Sequence, residues 1–183
     1  TAYELALRLG GAEMCIRDRD NALKELALEL GADVPVCIEG SPAFVGGIGE
    51  TLTPVQGLPD VGLVLVNPGV ALSTASVFKA HGGTVSKSTP REALPKDVRE
   101  LALYLKARRN DLTEAAISLV PEIADAISAI DDTPQCLLSR MSGSGITCFG
   151  LYGDCVAAET AAKALSSRHP NWWIAATALL SGI

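Results

Sequence analysis

The stretch that decides the fold is Leu137-Leu138-Ser139-Arg140-Met141-Ser142-Gly143-Ser144-Gly145-Ile146-Thr147-Cys148-Phe149-Gly150-Leu151-Tyr152. Two strand-length runs, 136–141 and 146–152, flank a Gly-Ser-Gly sequence, so the stretch reads as an antiparallel hairpin. Downstream lie an alanine-rich helix over 155–167 and a last strand over 172–179. Upstream, a helical stretch over 111–130 is interrupted or restarted at Pro121. Residues 95–107 are amphipathic through Val98, Leu101, Ala102 and Leu105. A short helix over 73–80 has Ser73 as its candidate cap, and a hydrophobic strand covers 62–66. The order strand, helix, helix, helix, strand, strand, helix, strand predicts an α+β domain with helices on one face of an antiparallel sheet.

Further upstream, Leu23, Leu26, Ala27 and Leu30 recur at helical spacing, with Asp20 or Asn21 as the cap. Gly31 stops that helix. Pro35 biases Val34 towards extended backbone, which places Asp33 on a short stiff connector. A carboxylate so held can accept a proton from a substrate hydroxyl. From the residues alone the commoner role is that of a turn residue bonded to its own backbone.

Composition narrows the function classes. With 183 residues and 48% hydrophobic side chains, the chain has ample material for a buried core. A net charge of −6, and no basic cluster beyond Lys106-Ala107-Arg108-Arg109, argue against nucleic-acid binding. No apolar run approaches the ~20 residues of a membrane-spanning helix, so no membrane partner is expected. The cysteines at 15, 37, 136, 148 and 155 form no Cys-x-x-Cys pair and read as reduced, buried thiols of a cytoplasmic protein. His81 and His169 are expected at the surface, and no metal site is expected.

Two tempting motifs fail on spacing. Gly82-Gly83-Thr84-Val85-Ser86-Lys87-Ser88 ends like a P-loop but has Ser86 and His81 where glycine is required. Around Ser142 and Ser144 the glycines adjoin the serines, unlike a nucleophile elbow. Gly143-Ser144-Gly145 nevertheless has chemistry available to it, because a turn without Cβ atoms lets backbone N–H groups approach a phosphate closely. A plain tight turn is the alternative.

Leu30-Gly31-Ala32-Asp33-Val34-Pro35-Val36, Gly46-Gly47-Ile48-Gly49-Glu50, Asn67-Pro68-Gly69, Ser73-Thr74, Val77-Phe78-Lys79, Asn110-Asp111-Leu112 and Met141-Ser142-Gly143-Ser144-Gly145 resemble, in order and spacing, motifs of the GHMP kinase superfamily. The likeness is to the branch that phosphorylates a cytidine-diphosphate-linked polyol in non-mevalonate isoprenoid synthesis. It implies a ferredoxin-like C-terminal domain, ATP with Mg2+ as cofactor, and a small cytidine diphosphate derivative as substrate. Asp33 is implied as the catalytic base, Phe78 as the aromatic that stacks on cytosine, and Thr74 as its neighbour. Gly143, Ser144 and Gly145 are implied as a phosphate-proximal turn. Without the resemblance, Phe78 could equally be a core aromatic. Prolines common in the family near Ser73, Ala75 and Ser76 are absent here. Another GHMP kinase and a non-catalytic ferredoxin-like module are the alternative readings.

The family's early strand with its catalytic lysine, and its glycine- and serine-rich ATP loop, have no counterpart in these residues. The expected division is therefore 20–57 as the C-terminal remnant of a GHMP N-terminal domain and 58–183 as the C-terminal domain. Asp33 is then expected near the interface of the two. Residues 1–19 stand apart: Met14-Cys15-Ile16-Arg17-Asp18 resembles a translated transposon-end sequencing adapter, and Glu4-Leu5-Ala6-Leu7-Arg8-Leu9-Gly10 nearly repeats Glu25-Leu26-Ala27-Leu28-Glu29-Leu30-Gly31. They are expected to be artefactual or chimeric and carry no functional argument.

Overall fold

The computed structural model describes residues 23, 26–27, 29–31, 34–47, 51–83, 86 and 94–179. The chain divides into two compact units, one of residues 1–56 with 180–183 and one of Gly57–Leu179.

In the first unit, residues 23, 26, 27, 29 and 30 are helical, and Gly31 closes the turn with its N–H on the Ala27 carbonyl at 3.1 Å. Of the predicted apolar stripe only Ala27 is buried, while Leu23, Leu26 and Leu30 are exposed. The expectation of an extended Val34 is corrected: Val34–Glu39 is a helix, α1. Proline at the second position of a helix costs no hydrogen bond, because first-turn N–H groups have no intrahelical acceptor, and its fixed φ suits the helix. Gly40, at φ 61°, ends α1 with its N–H on Val36 O. Strands β1 (Ala43–Gly46) and β2 (Thr51–Pro54) pair antiparallel, Ala43 opposite Pro54 and Gly46 opposite Thr51. Ala32 and Asp33 lie outside the described residues.

The second unit runs β3 (Gly62–Asn67), α2 (Thr74–His81), α3 (Val98–Lys106), α4 (Thr113–Leu119), α5 (Glu122–Asp131), β4 (Leu138–Met141), β5 (Cys148–Tyr152), α6 (Cys155–Arg168) and β6 (Trp173–Ala178). The four strands form one sheet in the order β4-β5-β3-β6 with every neighbouring pair antiparallel. This is the split β-α-β order of a ferredoxin-like fold. The hairpin predicted around Gly143-Ser144-Gly145 is present, with Met141 opposite Cys148. Pro121 separates α4 from α5, as the sequence suggested, and caps α5.

Alternation along the strands splits the core in two. Val64, Val66, Met141, Cys148 and Tyr152 face a large cluster completed by Val77, Ala116, Ile123, Ala126, Ile130, Ala158 and Leu165, from α2, α4, α5 and α6. Leu138 and Leu151 face the other way and meet Leu101 and Ala102. The helices are thus not all on one face: α3 covers the opposite side. Its Asp97 cap accepts the N–H groups of Arg99 and Glu100. Alanines at 157, 158, 161 and 162 let α6 lie close to the sheet, and Asp154 caps its start through Ala157 N at 2.8 Å.

Two expectations about single residue types are corrected. Cys37 and Cys155 are exposed rather than buried, and only Cys148 among the described cysteines is fully enclosed. Cys155 opens a helix at the surface, a position set by the turn at Gly153 and Asp154 rather than by hydrophobicity. His81 is not a free surface residue: it ends α2, half-buried, with its Nε2 enclosed. His169 stacks on Trp172 at 3.8 Å between ring centroids.

Candidate functional site

The sequence motifs converge at one end of the sheet. The β4–β5 turn is built by two backbone bonds, Ser142 N–H to Thr147 O and Gly145 N–H to Ser142 O, each 2.9 Å. Gly143 sits at φ 54° and Gly145 at φ 89°, left-handed values that L side chains adopt only with strain. The two glycines have different surroundings. A Cβ on Gly145 would come within 2.9 Å of Met141 Sδ and 3.4 Å of Ile123 Cδ1, so that side of the turn rests on the core. A Cβ on Gly143 would meet nothing within 4 Å.

The backbone N–H of Gly145 is consumed within the turn, so the turn offers fewer donors than its sequence suggests. Those of Gly143 and Ser144 take no acceptor among the described residues. Two adjacent free N–H groups on an open surface suit a phosphoryl oxygen.

Helix α2 meets the turn at its first residue. Thr74 Oγ1 and Ser144 Oγ share a hydrogen bond of 3.0 Å, across 70 residues of sequence. Ser73 occupies the cap position in extended conformation but makes no side-chain cap bond, so its expected capping role is not made. Val77 is fully buried and pins the helix, and Gly82 closes it at φ 70°. Phe78, one turn on from Thr74, is 57% exposed. It is not a core aromatic, and its ring is free to take a planar ligand.

Two asparagines hold this end of the sheet. Asn67, the last residue of β3, donates Nδ2 to Thr147 Oγ1 at 3.2 Å and accepts Gly69 N–H at 2.9 Å. Asn110 donates Nδ2 to Gly143 O at 2.7 Å and to Met141 O at 3.2 Å, and accepts Leu112 N–H at 3.0 Å. Both stand in motifs picked out by resemblance, Asn67-Pro68-Gly69 and Asn110-Asp111-Leu112, yet sequence reasoning gave neither a role. Asparagine ahead of a turn or helix start was the available signal, and it speaks only for the local bonds to Gly69 and Leu112.

A cleft of about 630 Å3 adjoins this end, lined by His81, Arg108, Arg109, Asp111 and Arg140 among others. Its cations already serve the fold. Arg140 donates to Leu105 O and Arg108 O at 2.7 and 2.6 Å, closing the carboxyl end of α3. Arg108 lies 3.3 Å from the Tyr104 ring centroid, and Arg109 Nε bonds Asp111 at 2.8 Å. Hydrogen bonds from Ser86, then the neighbouring Arg109, hold the Asp111 carboxyl below its usual range. Among the described residues no group of three or more His, Cys, Asp or Glu could hold a metal ion. No described helix is long and apolar enough to cross a membrane.

Of the sequence-predicted site residues, the structure thus joins Thr74 to Ser144 in the Gly143–Gly145 turn, with Phe78 exposed one helical turn from Thr74. Asp33 lies outside the described residues and is placed by neither unit's geometry.

Comparison with known proteins adds the lineage. Residues 91–171 match the family described as GHMP kinases C terminal. A 4-diphosphocytidyl-2-C-methyl-D-erythritol kinase of Paramagnetospirillum magneticum is 52% identical over 159 residues, covering 87% of this chain and 56% of the relative. The enzyme of that name from Dinoroseobacter shibae is 44% identical over 180 residues, covering 95% of this chain and 59% of the relative. A crystal structure of 4-(cytidine 5'-diphospho)-2C-methyl-D-erythritol kinase superposes with a TM-score of 0.62 at 32% identity, over 84% of this chain and 56% of that one. The chain therefore spans a little over half the length of the relatives it matches. With helices packed on an antiparallel sheet in ferredoxin-like order, and with these relatives, the chain carries a GHMP kinase C-terminal domain.

Proposed function

We propose that this chain forms the C-terminal part of an ATP-dependent kinase that phosphorylates the 2-hydroxyl of 4-diphosphocytidyl-2-C-methyl-D-erythritol in the cytoplasm. The observation that carries the reading is the hydrogen bond between Thr74 and Ser144. It joins an exposed aromatic suited to a nucleobase to a glycine turn suited to a phosphate. The names of the relatives support the same substrate. Residues 20–57 are proposed to belong to the enzyme's N-terminal domain and 58–183 to its C-terminal domain.

In this reading Phe78 stacks on the cytosine ring, with Thr74 beside it, and the N–H groups of Gly143 and Ser144 lie near the phosphates. Asp33 orients the hydroxyl and takes its proton. ATP with Mg2+ supplies the phosphoryl group. Phosphoryl transfer depends mainly on alignment and on donors aimed at developing charge, and a pre-folded glycine turn provides donors without reorganisation. Without an ATP loop among its residues, the 183-residue chain alone is expected to show no saturable ATP turnover.

The test is a full-length enzyme in which residues 20–183 follow the N-terminal portion of the Paramagnetospirillum magneticum relative. It should phosphorylate the cytidine substrate, and Asp33→Asn should lower kcat by about 10²-fold or more with little change in KM, as expected for loss of a general base. Preference for homoserine or mevalonate would assign a different GHMP kinase. Near-normal kcat with lowered stability would return Asp33 to a turn role.

A further inference from the structure

We infer that Asn110 is a positioning residue that aims the free N–H of Ser144 at the ligand. Both protons of its carboxamide nitrogen are engaged, on Gly143 O at 2.7 Å and Met141 O at 3.2 Å, and its oxygen receives Leu112 N–H at 3.0 Å. This fixes which way round the amide sits, since the flipped form would face an oxygen to two carbonyl oxygens and an NH2 to an N–H. Gly143 O belongs to the same planar peptide unit as Ser144 N–H, and in a trans peptide the two point in opposite directions. Holding the carbonyl towards Asn110 therefore sends the Ser144 N–H away from it.

The clamp has a clear need. Gly143 is exposed, left-handed at φ 54°, and meets no neighbour that a side chain could touch, so packing does not fix this peptide plane. The internal bond from Gly145 to Ser142 closes the turn but leaves the Gly143–Ser144 plane able to rotate. Asn110 supplies the missing restraint from 33 residues away. Its amide is rigidly mounted, because Leu112 N–H ties it to the start of α4.

The kinetic consequence rests on the kinase reading; the conformational one does not, and the experiment separates them. In the 183-residue chain, 15N relaxation should show Gly143 and Ser144 as ordered as the flanking strands. Asn110→Ala should drop their order parameters into the mobile range, below about 0.6, while those of Phe149–Leu151 stay unchanged. Asn110→Asp keeps the acceptor for Leu112 N–H but cannot donate, and should loosen the turn equally. In the full-length enzyme both variants should lower kcat at least tenfold and leave KM for the cytidine substrate within about twofold, measured where each remains folded. Unchanged order parameters in Asn110→Ala, or an Asn110→Asp variant as ordered and active as the parent, would overturn the inference. Turns loosened in the two variants, together with a full-length parent inactive on the cytidine substrate, would uphold the clamp and sink the kinase reading instead.

Discussion

The two ends of the four-stranded sheet use glycine for opposite purposes. At the end carrying the β4–β5 turn, Gly143 opens onto space, it and Ser144 offer free N–H groups, and the surrounding polar side chains hold backbone rather than fill volume. At the other end, Gly62 lies against the backbone of Asp154, and a Cβ there would collide with the Asp154 carbonyl and the Ala158 side chain. Beside it Tyr152 is fully buried with its hydroxyl 2.7 Å from Thr133 Oγ1, and Thr133 donates to Ile130 O at 2.6 Å. Thr133 has one proton and spends it on the carbonyl, so the tyrosine must donate to the threonine. One end is closed by contact and the other is held open by hydrogen bonds. A glycine can therefore be required because something is already there, or because something else must come.

The sharpest break of this comparison is Gly62→Ala. The colliding atoms are backbone, which cannot swing aside, so the cost should reach the upper range of overpacking, about 3 kcal/mol, and lower Tm by roughly 6–12 °C. A Tm within 2 °C of the parent would show that α6 can retreat from the sheet and that the closed end is not closed. Activity per folded molecule should be unaffected.

Phe78→Ala tests the open end. The side chain is 57% exposed, so its removal should leave Tm nearly unchanged. In the full-length enzyme, loss of base stacking should raise KM for the cytidine substrate by about 5- to 150-fold, equivalent to ~1–3 kcal/mol, with KM for ATP unmoved. A marked fall in thermal stability would give Phe78 a structural role that its exposure does not suggest.

Gly143→Ala is the direct counterpart of the Gly62 change. It meets no atoms and should cost only the left-handed backbone penalty, about 1–2 kcal/mol, seen as a shift of a few degrees in Tm. Equal losses at the two glycines would erase the distinction between the ends.

The smallest effect at neutral pH is a titration. Burial pushes the Cys148 thiol from 9.0 and the Tyr152 phenol from 10.0 up to about 12 in each case. The folded chain thus keeps protons that the unfolded chain releases in alkali. The stability linked to them is complete below about pH 9 and is lost as pH rises from there through 12. Urea midpoints should fall steadily between pH 9 and 11, and Cys148→Ala should delay the onset. A flat profile would mean that the core around Cys148 and Tyr152 admits water or hydroxide freely.

How much of this was legible depended on distance along the chain. The hairpin, the break at Pro121 and the glycine turn were readable because each is set by residues within a few positions of one another. The helix over Val34–Glu39 was misread for a local reason: Pro35 is compatible with both an extended predecessor and a helical first turn, and only the continuation chose. Exposure of Phe78 was open from sequence, since a hydrophobic period identifies a face but not whether anything covers it. The family resemblance singled out Thr74, Phe78 and the glycine turn, while their meeting through Ser144 is a tertiary fact.

By itself the sequence determined the α+β class, most of the elements and the chemical nature of the turn, because backbone preference and hydrophobic period act over a few residues. Only the tertiary structure decided that α3 covers the second face, that Gly62 is a contact and Gly143 an opening, and that Asn67 and Asn110 grip the same end of the sheet from 80 and 33 residues away. A side-chain amide bonds whatever carbonyl or hydroxyl the fold brings to it, and no local pattern records which one that will be.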